Sequence, residues 1–110
     1  MKIVNRGYVI VWSQVDFWKW AQQIDSDVEM LEFEDLEPNI YLITDDFFEI
    51  EPILEQYHKK IFATELSMIS DDELDWPKDR NLELFLRWFR VELGSTVFDL
   101  EKNTLTSFDE

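Results

Sequence analysis

Cysteine is absent from this chain of 110 residues, and glycine and proline are scarce, at two and three. Without cysteine there is no disulfide framework, no thiol nucleophile and no cysteine-bound zinc. Two glycines cannot build a loop that cradles phosphate. No run of 18 apolar residues occurs, which excludes a spanning helix. The start, Met1-Lys2-Ile3-Val4-Asn5-Arg6, lacks the apolar core of a signal peptide, so a cytoplasmic location is expected. Histidine occurs once, as His58 beside Lys59 and Lys60, and reads as an ordinary residue on a helix surface. A serine nucleophile would have to come from Ser13, Ser26, Ser67, Ser70, Ser95 or Ser107, none of them in a strained Gly-x-Ser-x-Gly turn.

Positive charge is the other shortage. Ten Lys and Arg face 25 Asp and Glu, a net charge of −15. Solubility of a small domain needs a magnitude of only about 2–8. Residues 20–57 hold twelve acids and no Lys or Arg, so one third of the chain carries −12 of the −15. Such a field repels nucleic-acid backbone and anionic membrane and steers a basic partner inward. A solvated face with no partner would look the same in sequence.

The chain is 45% hydrophobic and 15% aromatic, enough for a packed core. It has no linker, repeat or low-complexity tract, and reads as one domain over 1–110 with a polar tail at 101–110. A compact chain of this length has a radius of gyration of about 13 Å. Tyr8-Val9-Ile10-Val11-Trp12 predicts a strand buried on both faces. Ser13-Gln14-Val15-Asp16 has the form of a capping box, opening a helix to about Ile24 with the core stripe Phe17, Trp20, Ala21, Ile24. Residues 28–34 form a doubtful strand, and Asn39 to Thr44 a clearer one after the Glu37-Pro38 turn.

A second helix is expected to start between 47 and 52, capped by Asp46…Glu49 with Pro52 in its first turn, and to run to about Ile69. Its stripe is Ile50, Ile53, Leu54, Tyr57, Ile61, Met68, with a second of Phe62, Leu66, Ile69. Ser70 to Glu73 has the form of another capping box, opening a single turn before Trp76-Pro77. A third helix is expected from Lys78 to Leu93, stopped by Gly94. It carries one stripe of Leu82, Phe85, Leu86, Phe89, Leu93, another of Leu84, Trp88, Val91, and a Glu83–Arg87 pair. Residues 95–100 read as a last strand. The expected class is α+β: a single-domain sandwich with a three- to four-stranded sheet packed by about three helices. If the doubtful strand forms, the order β-α-β-β-α-α-β is a variant of the ferredoxin-like split βαβ; otherwise the sheet has three strands.

The carboxylates allow a direct test for metal. Asp25-Ser26-Asp27-Val28-Glu29 opens like a calcium loop, but Met30 and Leu36 stand where glycine and glutamate are required. Asp71 to Asp75 fails likewise, at Trp76 and Leu82. A looser divalent site from Asp45, Asp46 and Glu49 competes with a helix cap that explains the same residues. No metal and no cofactor is therefore expected. Arg87-Trp88-Phe89-Arg90 alternates basic and aromatic residues, a pattern more often of core than of nucleic-acid contact. Trp18 and Trp76 are the two tryptophans that the stripes leave without a place.

The leading expectation is a non-enzymatic protein that engages a basic partner, as an inhibitor, immunity-type protein or nucleic-acid mimic would. Asp25, Asp27, Glu29, Glu32, Glu34, Asp35, Glu37, Asp45, Asp46 and Glu49 would supply charge, and Trp18 or Trp76 an apolar anchor. Two alternatives differ in class. A hydrolase that depends on carboxylates or a metal predicts a concave pocket holding an acid of raised pKa. A homo-oligomer would use the Leu84, Trp88, Val91 stripe as its interface.

Overall fold

The computed structural model describes residues 1–30 and 35–109. Its elements are β1 (Lys2–Val4), β2 (Gly7–Ser13), α1 (Val15–Ile24), β3 (Asn39–Ile43), α2 (Ile50–Ser67), a 3-10 turn (Glu73–Asp75), α3 (Leu82–Trp88), β4 (Phe89–Gly94) and β5 (Val97–Asp99). The three helices pack on one face of a three-stranded sheet of order β3-β2-β4, and β1 pairs with β5 in a separate ribbon. All pairings are antiparallel. This is the α+β sandwich expected, with three strands in its main sheet among the described residues. No helix among the described residues is long and apolar enough to cross a membrane.

The pleat decides which residues reach the core. In β2, Val9 and Val11 point to the helices and are fully buried, while Tyr8, Ile10 and Trp12 point the other way and are half-buried. The strand is thus buried on one face only, because every helix lies on the same side. Burying each valine contributes at most about 1.5–3 kcal/mol. β3 repeats the pattern: Ile43 is buried, whereas Ile40 and Leu42 are 63% and 49% exposed on the open face. That face carries a shallow apolar hollow of about 230 Å³ between Tyr8, Ile10, Ile40, Leu42 and Val97. The far edge of β3 has no strand partner among the described residues.

Aromatic rings fill the space between sheet and helices. Phe62 of α2 lies 5.7 Å from Phe85, 5.6 Å from Trp88 and 5.5 Å from Phe89, centroid to centroid. Phe17 and Trp20 of α1 close on the same cluster, with Trp20 5.8 Å from Trp88. Trp88, like Leu84 and Val91 of the stripe offered as an oligomer interface, is partly buried and packs against the core.

The largest departure from expectation is the third helix. It spans seven residues, and the chain changes at Phe89 to extended backbone that pairs with β2 from Tyr8 to Ser13. Phe89, Val91 and Leu93 alternate with Arg90 and Glu92, so the segment has a period of two as well as helical spacing. Pairing with the free edge of β2 settles the ambiguity in favour of strand. Asn81 caps the short helix, its side chain accepting from the Leu84 N–H at 2.8 Å. Gly94 ends a strand and stops no helix; a Cβ there would lie 2.4 Å from the Tyr8 ring. The expected Glu83–Arg87 pair does not form, while Arg90 and Glu92 meet at 2.8 Å.

Two expected caps are also missing. Ser13 is held in the sheet opposite Phe89, so α1 starts after Gln14 with no side-chain cap. α2 starts after Glu49, likewise without one, and the Asp46 N–H donates to Thr44 Oγ1 at 3.2 Å. In the single turn before Trp76 the cap is Asp72, which accepts from the Leu74 N–H, while Ser70 donates to Asp75 at 2.6 Å. The doubtful strand is absent over 28–30, and its remaining residues, 31–34, lie outside the described residues.

The N-terminal strand β1 was not anticipated. It sets Ile3 opposite Phe98, and Lys2 Nζ donates to the carbonyls of Lys102 and Asn103, drawing the exposed C-terminal tail alongside. The molecule measures 44 × 29 × 28 Å, with a radius of gyration of 15.4 Å.

Candidate functional site

The acidic residues fall into groups set by the ends of the sheet. Asp25, Asp27 and Glu29 are exposed after α1, where the Asp27 N–H donates to Asp25 Oδ1 at 3.0 Å. Asp35 and Glu37 are exposed on the approach to β3, and Asp45, Asp46 and Glu49 after it. Asn39 faces Val11 and Ile43 faces Gly7, so β3 carries the chain from one end of the sheet to the other. A strand of five residues spans about 17 Å. Residues 35–37 and 45–49 therefore lie at opposite ends of β3. Glu32 and Glu34 lie outside the described residues. None of the eight described carboxylates forms an ion pair with a described residue. Nor does any group of three or more acids or histidine stand close enough to hold a metal ion among the described residues.

The two unplaced tryptophans are both partly buried against the core. Trp76 donates its Nε1–H to the Ser70 carbonyl at 2.8 Å, and the Arg80 guanidinium lies 5.5 Å from its ring centroid. Trp18 stands edge-on to Phe17 at 5.2 Å, and its Nε1 is buried with no acceptor among the described residues. His58 is not a surface residue: it is 4% exposed, with Nδ1 2.8 Å from the Leu54 carbonyl, a contact that requires the proton on Nδ1.

Trp18 borders two hollows. The larger, of about 460 Å³, lies beside Trp12, Gln14, Arg87 and Arg90. There Arg90 is engaged already, stacked 4.6 Å over the Trp12 ring and paired with Glu92. The basic and aromatic alternation thus divides, with Arg87 and Arg90 exposed and Trp88 and Phe89 turned into the core.

The second hollow is a cleft of about 330 Å³ between β2, α1, the approach to β3 and the end of α2. Val11, Phe17, Leu36, Met68 and Ile69 make it apolar, and Glu65 and Asn39 also line it. Glu65 is 4% exposed. Its Oε2 accepts from the Tyr41 hydroxyl and, at 2.8 Å, from Asn39 Nδ2, while Oε1 accepts from no described residue. Burial pushes the Glu65 carboxyl above the usual carboxylate range, and the two hydrogen bonds work against that rise. Burial, then the bond to Glu65 and its charge, hold Tyr41 well above the ordinary phenol value.

Sequence reasoning passed over Glu65, although a signal was present. It follows Leu54, His58 and Ile61 at helical spacing on the buried side of α2, and an acid on such a stripe must find partners. Its partners come from β3, on the inward positions 39 and 41 of the pleat. Comparison of the chain with protein-family models, with curated proteins and with solved structures finds no match.

Proposed function

We propose that this chain is a small, cytoplasmic, non-enzymatic binding domain that engages a basic partner through its acidic loops. The observation that carries this reading is the uncompensated charge: eight exposed carboxylates on 25–29, 35–37 and 45–49 have no cation beside them among the described residues, in a chain of net charge −15. Unpaired surface charge costs little in water and exerts its field on whatever approaches. With acids at both ends of β3, a partner would be drawn to either end of the sheet. An inhibitor of a basic enzyme or an imitator of nucleic acid would use such a field.

The hydrolase alternative has one observation in its favour, the buried carboxyl of Glu65 beside a cleft. The groups bonded to it are a phenol and an amide, and the phenol, the one nucleophile of the two, is held protonated by burial and by Glu65 itself. Binding is the better use of that arrangement.

The test is retention of a partner from parent lysate on the immobilised protein at about 50 mM salt, followed by a salt ramp. Two control columns carry Glu29, Glu32, Glu34 and Glu37 changed to Gln, or Asp45 and Asp46 changed to Asn. One defined basic protein, retained by the unaltered chain and lost from either control, is the expected result and shows which acidic segment it uses. Equal retention on all three columns overturns the reading.

A further inference from the structure

We propose that the cleft beside Glu65 is a binding site for a primary ammonium group carried on an apolar stem, with Glu65 as the counter-ion. Its volume of about 330 Å³ lies at the small end of the range for ligand sites, about 300–1,000 Å³. Val11, Leu36, Met68 and Ile69 offer the stem an apolar wall. A carboxylate that is 4% exposed is costly to keep charged without a cation, and no cation is paired with it among the described residues.

The hydrogen bonds select the shape of the cation. Tyr41 and Asn39 both donate to Oε2, so only Oε1 is open to a further donor. A guanidinium prefers to grip both oxygens of a carboxylate, whereas an ammonium is a compact donor satisfied by one. The exposed carboxylates of Asp35 and Glu37 border the cleft and favour entry of a cation over an anion. The site does not depend on the basic-partner reading, and either can fail without the other.

The test follows the indole N–H resonance of Trp18, which lines the cleft, while hexylammonium, hexanol, hexylguanidinium or an uncharged-ended Gly-Lys-Gly peptide is added to the full chain. Hexylammonium is expected to shift it saturably, with hexanol and hexylguanidinium at least tenfold weaker. Glu65→Gln keeps an acceptor for Tyr41 and Asn39 and is expected to weaken hexylammonium binding at least tenfold. Met68→Lys is an independent check. Met68 Sδ lies 3.6 Å from Asn39 Nδ2, so a lysine there can lay its own ammonium in the cleft and abolish the response. A lysine peptide that binds more tightly than hexylammonium assigns the site to a partner's side chain, and the reverse order assigns it to a small amine. An equal response to hexanol, or binding unchanged in both variants, overturns the proposal.

Discussion

Replacing Glu65 by Gln should make the domain more stable than the parent at neutral pH and leave it nearly unchanged in acid. Glu65 is 4% exposed, and burial raises its pKa against the opposing bonds from Tyr41 and Asn39. The folded chain therefore holds this proton more tightly than the unfolded chain does. Stability contributed by such a group is fully present below the ordinary glutamate value of about 4.3 and is lost as pH rises through the folded value. Below about pH 4.3 the exchange replaces one neutral group with another of the same shape, and the two proteins should agree within about 1.5 kcal/mol. Above it the gap should widen in favour of Gln, by no more than about 1.4 kcal/mol per pH unit, and flatten beyond the folded value. Repulsion among the surface acids is common to both proteins and cancels in the difference. Urea unfolding between about pH 4 and 8 at constant ionic strength, followed by tryptophan fluorescence, measures the gap. A gap that stays flat, or narrows as pH rises, would refute the claim that burial governs this carboxyl.

Trp88→Asp should leave no folded protein at room temperature by circular dichroism. It removes a ring packed within 5.8 Å of Trp20 and Phe62 and puts a charge in its place, a loss comparable to a small domain's whole margin of about 5–15 kcal/mol. Folded, associating or monomeric Asp variant would instead restore Trp88 to the surface. Gly94→Ala should cost about 1–3 kcal/mol by overpacking, since its Cβ would meet the Tyr8 ring at 2.4 Å. Adding Tyr8→Ala should make the pair less than additive in urea unfolding, and strict additivity would place the clash elsewhere.

Where local pattern and tertiary packing agree, the elements were legible. The α1 stripe of Phe17, Trp20 and Ala21 is buried as its spacing requires, and Pro52 sits in the first turn of α2, where its missing N–H costs nothing. Residues 82–94 were ambiguous because Phe89 and Leu93 serve either period, and only the free edge of β2 decides between them. β5 was legible within residues 95–100, whereas β1 has three residues, too few to show a period, and exists because it pairs with β5 across the chain. Helix caps read from Ser13 and Asp46 failed because a strand and a turn already held those residues. In the site, the acids were legible as a charge run, but their division between two ends of the sheet follows from the direction of β3. The cleft was hidden because Asn39, Tyr41 and Glu65 are neighbours only after β3 docks on α2.

The open face of the sheet gives the charge a second consequence. Ile40 and Leu42 are exposed beside a strand edge that has no partner among the described residues, an arrangement that invites two copies to join strand to strand. Each copy carries −15, so approach is opposed long before contact at low ionic strength. At about 0.1 M salt that opposition reaches only about 10 Å, and in acid it fades as the carboxylates take up protons. The acidity thus acts as a colloidal barrier that the fold itself lacks. Concentrated salt or acid is therefore expected to let sheet edges meet, a rise in mass by light scattering that the protein at low salt and neutral pH should not show.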